Sequence, residues 1–148
     1  MPVIDASVQV ALLNATDPHH DAASAWYRGA LLGGERLLAP SIIVAEVAAA
    51  IARGVGDAAL AHRATEHLLR GEPLQLVPVD APLAARAAGI AADHRIRGCD
   101  AVYVALASAC EETLVTLDAQ QAARAGDVVA VSQPAGADSA PGRGMDAR

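Results

Sequence analysis

The chain has no lysine: all 11 of its basic residues are arginine, set against 17 acidic ones. This excludes every chemistry built on a lysine amine, whether a Schiff base, a P-loop phosphate clamp or the lysine of a phospho-receiver site. With a net charge of −6, the chain is also ill suited to holding nucleic acid or an anionic membrane by bulk charge. Phenylalanine is absent, and Trp26, Tyr27 and Tyr103 are the only aromatic residues. Readers of single-stranded nucleic acid usually stack bases on aromatic rings, so any selectivity for RNA here would rest on shape and backbone contacts. Two cysteines, Cys99 and Cys110, cannot form a disulfide framework or, alone, a zinc site. Their spacing fits the two ends of one helix, too far apart to bridge, and they read as small buried apolar residues. The longest uncharged apolar stretch, Ala101 to Cys110, is too short to cross a bilayer. Met1-Pro2-Val3-Ile4-Asp5 lacks the basic segment of a signal peptide, so a soluble cytoplasmic protein is expected.

What is present is apolar and small. Hydrophobic residues make up 53% of the 148, and 37 residues are alanine, which suits close-packed helices over a Val/Ile/Leu interior. The length suits one domain. Strand-like Val3-Ile4 is followed by Ser7–Asn14, a helix around His20–Leu32 and a strand at Leu37–Ala39. Ser41 reads as the N-cap of a helix running to Arg53, and Asp57–Arg70 as another helix. A strand at Leu74–Val79 follows, then Asp80 capping Ala81–His94, with Pro82 in the first turn where proline is tolerated. Asp100–Ala109 reads as helix, Thr113–Thr116 as strand, Ala119–Ala125 as a short helix and Val128–Val131 as a last strand. This alternation predicts an α/β fold with a mostly parallel sheet of about five strands and helices on both faces. Residues 1–133 form the expected domain. Residues 134–148, rich in Ala, Gly and Pro without periodicity, read as a disordered tail.

In an open α/β sheet, chemistry gathers at the carboxyl ends of the strands. Asp5 directly follows Val3-Ile4, Asp118 follows Leu114-Val115-Thr116, and Asp100 opens a helix. Each of these three has an ordinary alternative role as a helix N-cap. Glu46, within Ile42-Ile43-Val44-Ala45-Glu46-Val47-Ala48, has the alternative of lying on a solvated stripe. Taken together the set says more, because strand ends converge in this fold class. Four converging carboxylates raise one another's pKa unless cations balance them, and hard divalent ions with oxygen ligands do that well.

Four segments carry a family resemblance: Val3-Ile4-Asp5-Ala6-Ser7, Ser41–Val47, Cys99-Asp100-Ala101-Val102-Tyr103-Val104-Ala105-Leu106-Ala107, and Leu114-Val115-Thr116-Leu117-Asp118. In order and spacing, across about residues 2–131, they resemble the PIN-domain ribonucleases, and among them the VapC-type toxins of bacterial toxin–antitoxin pairs. The resemblance implies a PIN-like three-layer sandwich and RNA phosphodiester hydrolysis with Mg²⁺ or Mn²⁺ held by Asp5, Glu46, Asp100 and Asp118. Asp5 and Asp100 would be direct ligands, with Ser7 and Thr116 holding a ligand carboxylate or a metal-bound water. Asp93, late in the preceding helix and outside the Ala-x-Tyr-x-Ala-Leu-Ala context, is the rival for the third acid and is set aside. The resemblance also implies a VapB-type antitoxin partner and a homodimer.

Such chemistry requires no Cys, His or Ser nucleophile, because divalent ions can activate water and stabilise both developing charges. The five histidines read as surface residues. Arg53, Arg95 and Arg97 are the candidate phosphate contacts, each with an ordinary reading as a solvated helix-end arginine. Two other readings stand beside the toxin: a PIN nuclease of RNA processing without an antitoxin, and an inactive PIN-like protein-binding module. Retention of all four acids weighs against the second.

Overall fold

The computed structural model describes residues 1–71 and 73–134. Apart from Pro134, the segment read as a tail lies outside the described residues. The described chain forms five strands and seven helices: β1 Val3–Ile4, α1 Ala6–Leu13, α2 His20–Leu32, β2 Leu37–Pro40, α3 Ile43–Gly54, α4 Ala58–Leu69, β3 Leu74–Val77, α5 Ala81–His94, α6 Gly98–Cys110, β4 Leu114–Val115, α7 Ala119–Ala125 and β5 Val131–Ser132.

All strand pairings are parallel, in the order β3-β2-β1-β4-β5. Parallel strands covered on both faces read as continuous apolar runs, and Val3, Ile4, Leu37, Leu38, Ala39, Leu114 and Val115 are all buried. The chain winds outward from β1 through β2 to β3, then crosses back to β4 and β5. Right-handed crossovers therefore put α1–α4 on one face of the sheet and α5–α7 on the other. The contacts divide accordingly: α1 meets α2 and α3, and α3 meets α4, whereas α5 packs on α6 and α6 lies across β1, β2 and β4. That central position explains why Ala101 and Tyr103–Ala107 of α6 are all buried. The winding direction reverses at β1, between β2 and β4, and this reversal opens a crevice at the carboxyl ends of those strands.

Several local expectations are corrected. Ser41 does not cap α3: its N–H still continues the sheet by donating to the Val77 carbonyl at 2.8 Å, and the helix begins two residues on, after Ile42. The last strand is shifted from Val128–Val131 to Val131–Ser132, because the N–H groups of Val128 and Val129 both donate to the Ala125 carbonyl and close the end of α7. Two strands are shorter than expected, β3 ending at Val77 and β4 spanning Leu114–Val115, while β1 is as expected and β2 runs one residue further, to Pro40. Cys99 and Cys110 do stand at the two ends of α6, about 16 Å apart at 1.5 Å per residue, but both are exposed.

Candidate active site

The crevice is a cavity of about 630 Å³ lined by Asp5, Glu46, Asp100 and Asp118 together with Ser7, Arg53, Arg97, Tyr103 and Gln121. Its acids come from four elements. Asp5 and Asp118 occupy the first helix-cap positions after β1 and β4, and here the capping and site positions coincide. The Asp5 Oδ1 accepts from the Val8 N–H at 3.3 Å, and the Asp118 Oδ1 accepts from the N–H groups of Gln120 and Gln121 at 2.9 and 3.0 Å. Asp100 is different. The alternative cap role is not realised, since α6 starts at Gly98 and, among the described residues, the Asp100 carboxylate accepts the Arg97 Nε at 2.8 Å and no backbone N–H. Glu46 enters from α3, which buries Ile43, Val47 and Ile51 at i, i+4 and i+8 and turns Ala45, Glu46, Ala49, Ala50 and Arg53 toward the cavity.

Asp5 is the deepest of the four, only 3% exposed. Its Oδ1 accepts from the Ser7 hydroxyl at 2.5 Å and its Oδ2 from the Thr116 hydroxyl, so both oxygens are held. Desolvation by burial pushes its pKa up to about 6, against the lowering effect of the Ser7 and Thr116 hydroxyls. Ser7 also accepts the Leu117 N–H at 2.9 Å, and Thr116 accepts the Asp118 N–H at 3.0 Å, so the two hydroxyls stitch the ends of β1 and β4 together.

The two residues the sequence reading did not assign are Tyr103 and Gln121. Tyr103, three residues after Asp100 and so on the same helical face, is buried and donates its hydroxyl to the Glu46 Oε2. Burial first, and that bond second, raise the Tyr103 pKa and keep the donor protonated. The i, i+3 spacing from Asp100 was the available signal. Gln121 is buried, accepts from the Thr116 hydroxyl at 3.3 Å and donates to the Asp100 carbonyl at 3.5 Å, bracing α6 against α7. Nothing local marks it, since its partners come from the fold.

Arg97 sits at the mouth, with a terminal nitrogen 3.9 Å from the Asp118 Oδ2 besides its contact to Asp100. Arg53 also lines the cavity and forms no ion pair among the described residues, whereas Arg95 caps α5 in the left-handed region and does not line it. Asp93 is exposed on α5 and absent from the lining, as are all five histidines. The Cys99 thiol is raised by desolvation first and by Glu46 next, which opposes a thiolate nucleophile.

The donor set is oxygen-rich, carboxylate-dominated and free of histidine, which suits a hard divalent ion in chemical kind. Among the described residues, however, no three His, Cys, Asp or Glu side chains stand close enough to share an ion as arranged. Hydroxyl donors occupy both oxygens of Asp5 instead, the Tyr103 phenol one oxygen of Glu46 and the Arg97 guanidinium one oxygen of Asp100.

A parallel α/β sheet with acids converging at its switch point defines an acidic-cavity α/β domain. Residues 3–127 match the PIN domain family, and the chain belongs to it. No curated protein is significantly similar in sequence. Among solved structures, VapC20 of Mycobacterium tuberculosis, described as a sarcin-ricin loop cleaving toxin, superposes with a TM-score of 0.70 at 19% identity, covering 83% of this chain and 94% of that one. FitAcB from Neisseria gonorrhoeae gives 0.68 at 24% identity over 90% and 98% of the two chains. VapBC2 from Rickettsia felis, bound to a fragment of its promoter DNA, gives 0.63 at 15% identity over 89% and 97%. At these identities the likeness is one of fold. Among the described residues no helix is long and apolar enough to cross a membrane.

Proposed function

We propose that the chain is a Mg²⁺- or Mn²⁺-dependent endoribonuclease acting in the cytoplasm as the toxin of a toxin–antitoxin pair. The observation that carries this reading is that Asp5, Glu46, Asp100 and Asp118, from four separate elements, line one cavity at the switch point of a PIN-family fold. Those four carboxylates would hold the cation. When bound, it supplies an activated water and charge stabilisation for the phosphoryl and leaving oxygens of an RNA phosphodiester.

The chain's own residues have separable tasks in this reading. Ser7 and Thr116 fix both oxygens of Asp5 so that its carboxylate cannot rotate away from the cavity. Tyr103 holds one oxygen of Glu46, and Gln121 keeps the first turn of α6 braced against α7. Asp118 spends Oδ1 on the α7 cap and turns Oδ2 to the cavity mouth. Arg53, seven residues and about 10 Å along α3 from Glu46, is placed to meet a phosphate next to the one being cut. The likeness to VapC20 and to the VapBC2 and FitAcB structures supports the toxin reading and a VapB-type partner. Such a partner would inhibit by covering the acidic cavity with a basic segment, apolar anchors packing on nearby helices. A homodimer is part of the same proposal.

The test is cleavage of a panel of structured RNAs with Mg²⁺ or Mn²⁺, with EDTA, and with Asp5→Asn. Cleavage that needs the ion and is lost in the variant supports the reading. Equal rates in EDTA would sink it. A co-expressed partner that binds tightly but leaves cleavage intact would remove the inhibitory half.

A further inference from the structure

We infer that Arg97 is the site's resident counter-cation, and that its departure from Asp100 and Asp118 sets the affinity of the site for a divalent ion. This inference rests on the proposed metal-dependent function and adds a determinant of cation affinity to it. Arg97 precedes α6 in an extended conformation, and its guanidinium reaches over the first turn. Its Nε donates to the Asp100 Oδ2 at 2.8 Å, and a terminal nitrogen lies 3.9 Å from the Asp118 Oδ2. A single positive group thus spans the N-terminal ends of α6 and α7, between two of the four acids.

Three observations give the contact a role beyond surface decoration. First, it competes for oxygens a cation would use. The Asp118 Oδ1 is committed to the α7 cap, so its Oδ2, 3.9 Å from the guanidinium, is the oxygen left for an ion, and on Asp100 the guanidinium takes Oδ2. A Mg²⁺ ligand shell demands oxygens at about 2.0–2.1 Å in near-octahedral array, and a positive guanidinium held against the same carboxylates opposes the approach of a second cation. Second, among the described residues no three acids are gathered as an ion would require, and Arg97 stands where two of them would draw together. Third, the hold is light. The Arg97 side chain is 74% exposed, and an exposed pair of this kind is weak, so the arginine can leave at little cost. Once displaced, it remains at the cavity mouth, where an RNA phosphate is the natural new partner.

The experiment is calorimetric titration of the full-length protein with Mn²⁺ alone, at fixed pH and ionic strength, for wild type, Arg97→Gln and Arg53→Gln. Arg53→Gln removes the same charge from the same cavity without breaking a carboxylate contact. Arg97→Gln should bind Mn²⁺ about 2- to 5-fold more tightly than wild type, the range that releasing an exposed ion pair allows. Arg53→Gln should tighten it by less. In EDTA, Arg97→Gln should melt no more than about 3 °C below wild type, in keeping with a weak pair. Equal tightening by the two variants would reduce the effect to net charge and overturn the inference. Weaker Mn²⁺ binding by Arg97→Gln would also overturn it, since Arg97 would then be orienting the ligands rather than competing with the ion. In both of those cases Mn²⁺ still binds and the proposed function stands. Absence of Mn²⁺ binding in all three proteins would instead overturn that function and this inference together.

Discussion

Asp5 combines deep burial with a carboxylate, a pairing that costs stability and so has a measurable pH signature. Its pKa rises to about 6 in the fold, chiefly by desolvation, from the model-peptide 3.8. Between those two values the folded state keeps the proton that the unfolded state has already lost, so stability falls as pH rises through the window. Above pH 6 the full penalty is present, of order 2–3 kcal/mol at 1.36 kcal/mol per unit. Asp5→Asn should therefore stabilise the EDTA-treated protein at pH 7.5 by up to about 2 kcal/mol, the shortfall reflecting altered donors around the amide. That gain should shrink below pH 6 and vanish near pH 4, as urea melts across pH will register. A gain that grew on acidification would contradict the assignment. Asp100 makes a different case. Because it accepts no backbone N–H among the described residues, the 0.5–2 kcal/mol that a cap would lose on going to alanine is not at stake. Asp100→Asn and Asp100→Ala should both keep the metal-free stability within about 1 kcal/mol. RNA cleavage by either should fall at least ~100-fold if metal catalysis supplies even 2.7 kcal/mol. Near-normal cleavage by Asp100→Asn would take this residue out of the site.

At the scale of elements, the cap read at Asp80 is borne out and the one read at Ser41 is not. Asp80 accepts the Leu83 N–H at 2.9 Å, as its position before an apolar-periodic run implies. Asp57, read as the first helical residue, is instead the cap of α4 and accepts the Leu60 N–H at 2.9 Å. Asp80 lies outside the cavity lining, so Asp80→Ala should lower stability by about 1 kcal/mol while Asp80→Asn leaves it nearly unchanged. Neither should alter cleavage, and a chemical melt paired with a cleavage assay reads both. The alternation of buried strands with capped helices was legible because it depends on local pattern. What was not legible depends on neighbours. Ser41 looks like a cap, but its N–H is claimed by β3 across the sheet. Asp100 looks like a helix start, but Gly98 and Cys99 are already helical. Cys110 has the profile of a core residue, yet α6 ends there and leaves it exposed. Within the site the acids could be picked out by their place after strands. Tyr103 could have been added from its helical spacing to Asp100, and Gln121 could not, because its partners Thr116 and the Asp100 carbonyl are brought to it only by packing.

For the whole molecule, the fold concentrates charge of one sign. Four of the 17 acids line a single cavity, and without them the remaining 13 nearly balance the 11 arginines. The residue of like charge at the sheet's carboxyl edge is offset internally by hydroxyl and phenol donors and, at the mouth, by Arg97. A divalent ion would relieve it further, so ion binding and folding should be thermodynamically linked. At about 100 times its dissociation constant, Mn²⁺ should add roughly 2.7 kcal/mol of stability. At 2–4 °C per kcal/mol for a chain of this size, the melting temperature should rise by about 5–10 °C. The pH dependence has a definite sign. Mn²⁺ needs the Asp5 carboxylate ionised, and that group takes up its proton near pH 6, so the shift should be largest at pH 7.5 and should fade towards pH 5. The measurement is a melting series with Mn²⁺ or EDTA at both pH values, run beside RNA cleavage in the same buffers. A melting temperature indifferent to Mn²⁺ at pH 7.5, with cleavage undiminished in EDTA, would mean that the four carboxylates converge for some purpose other than holding a metal.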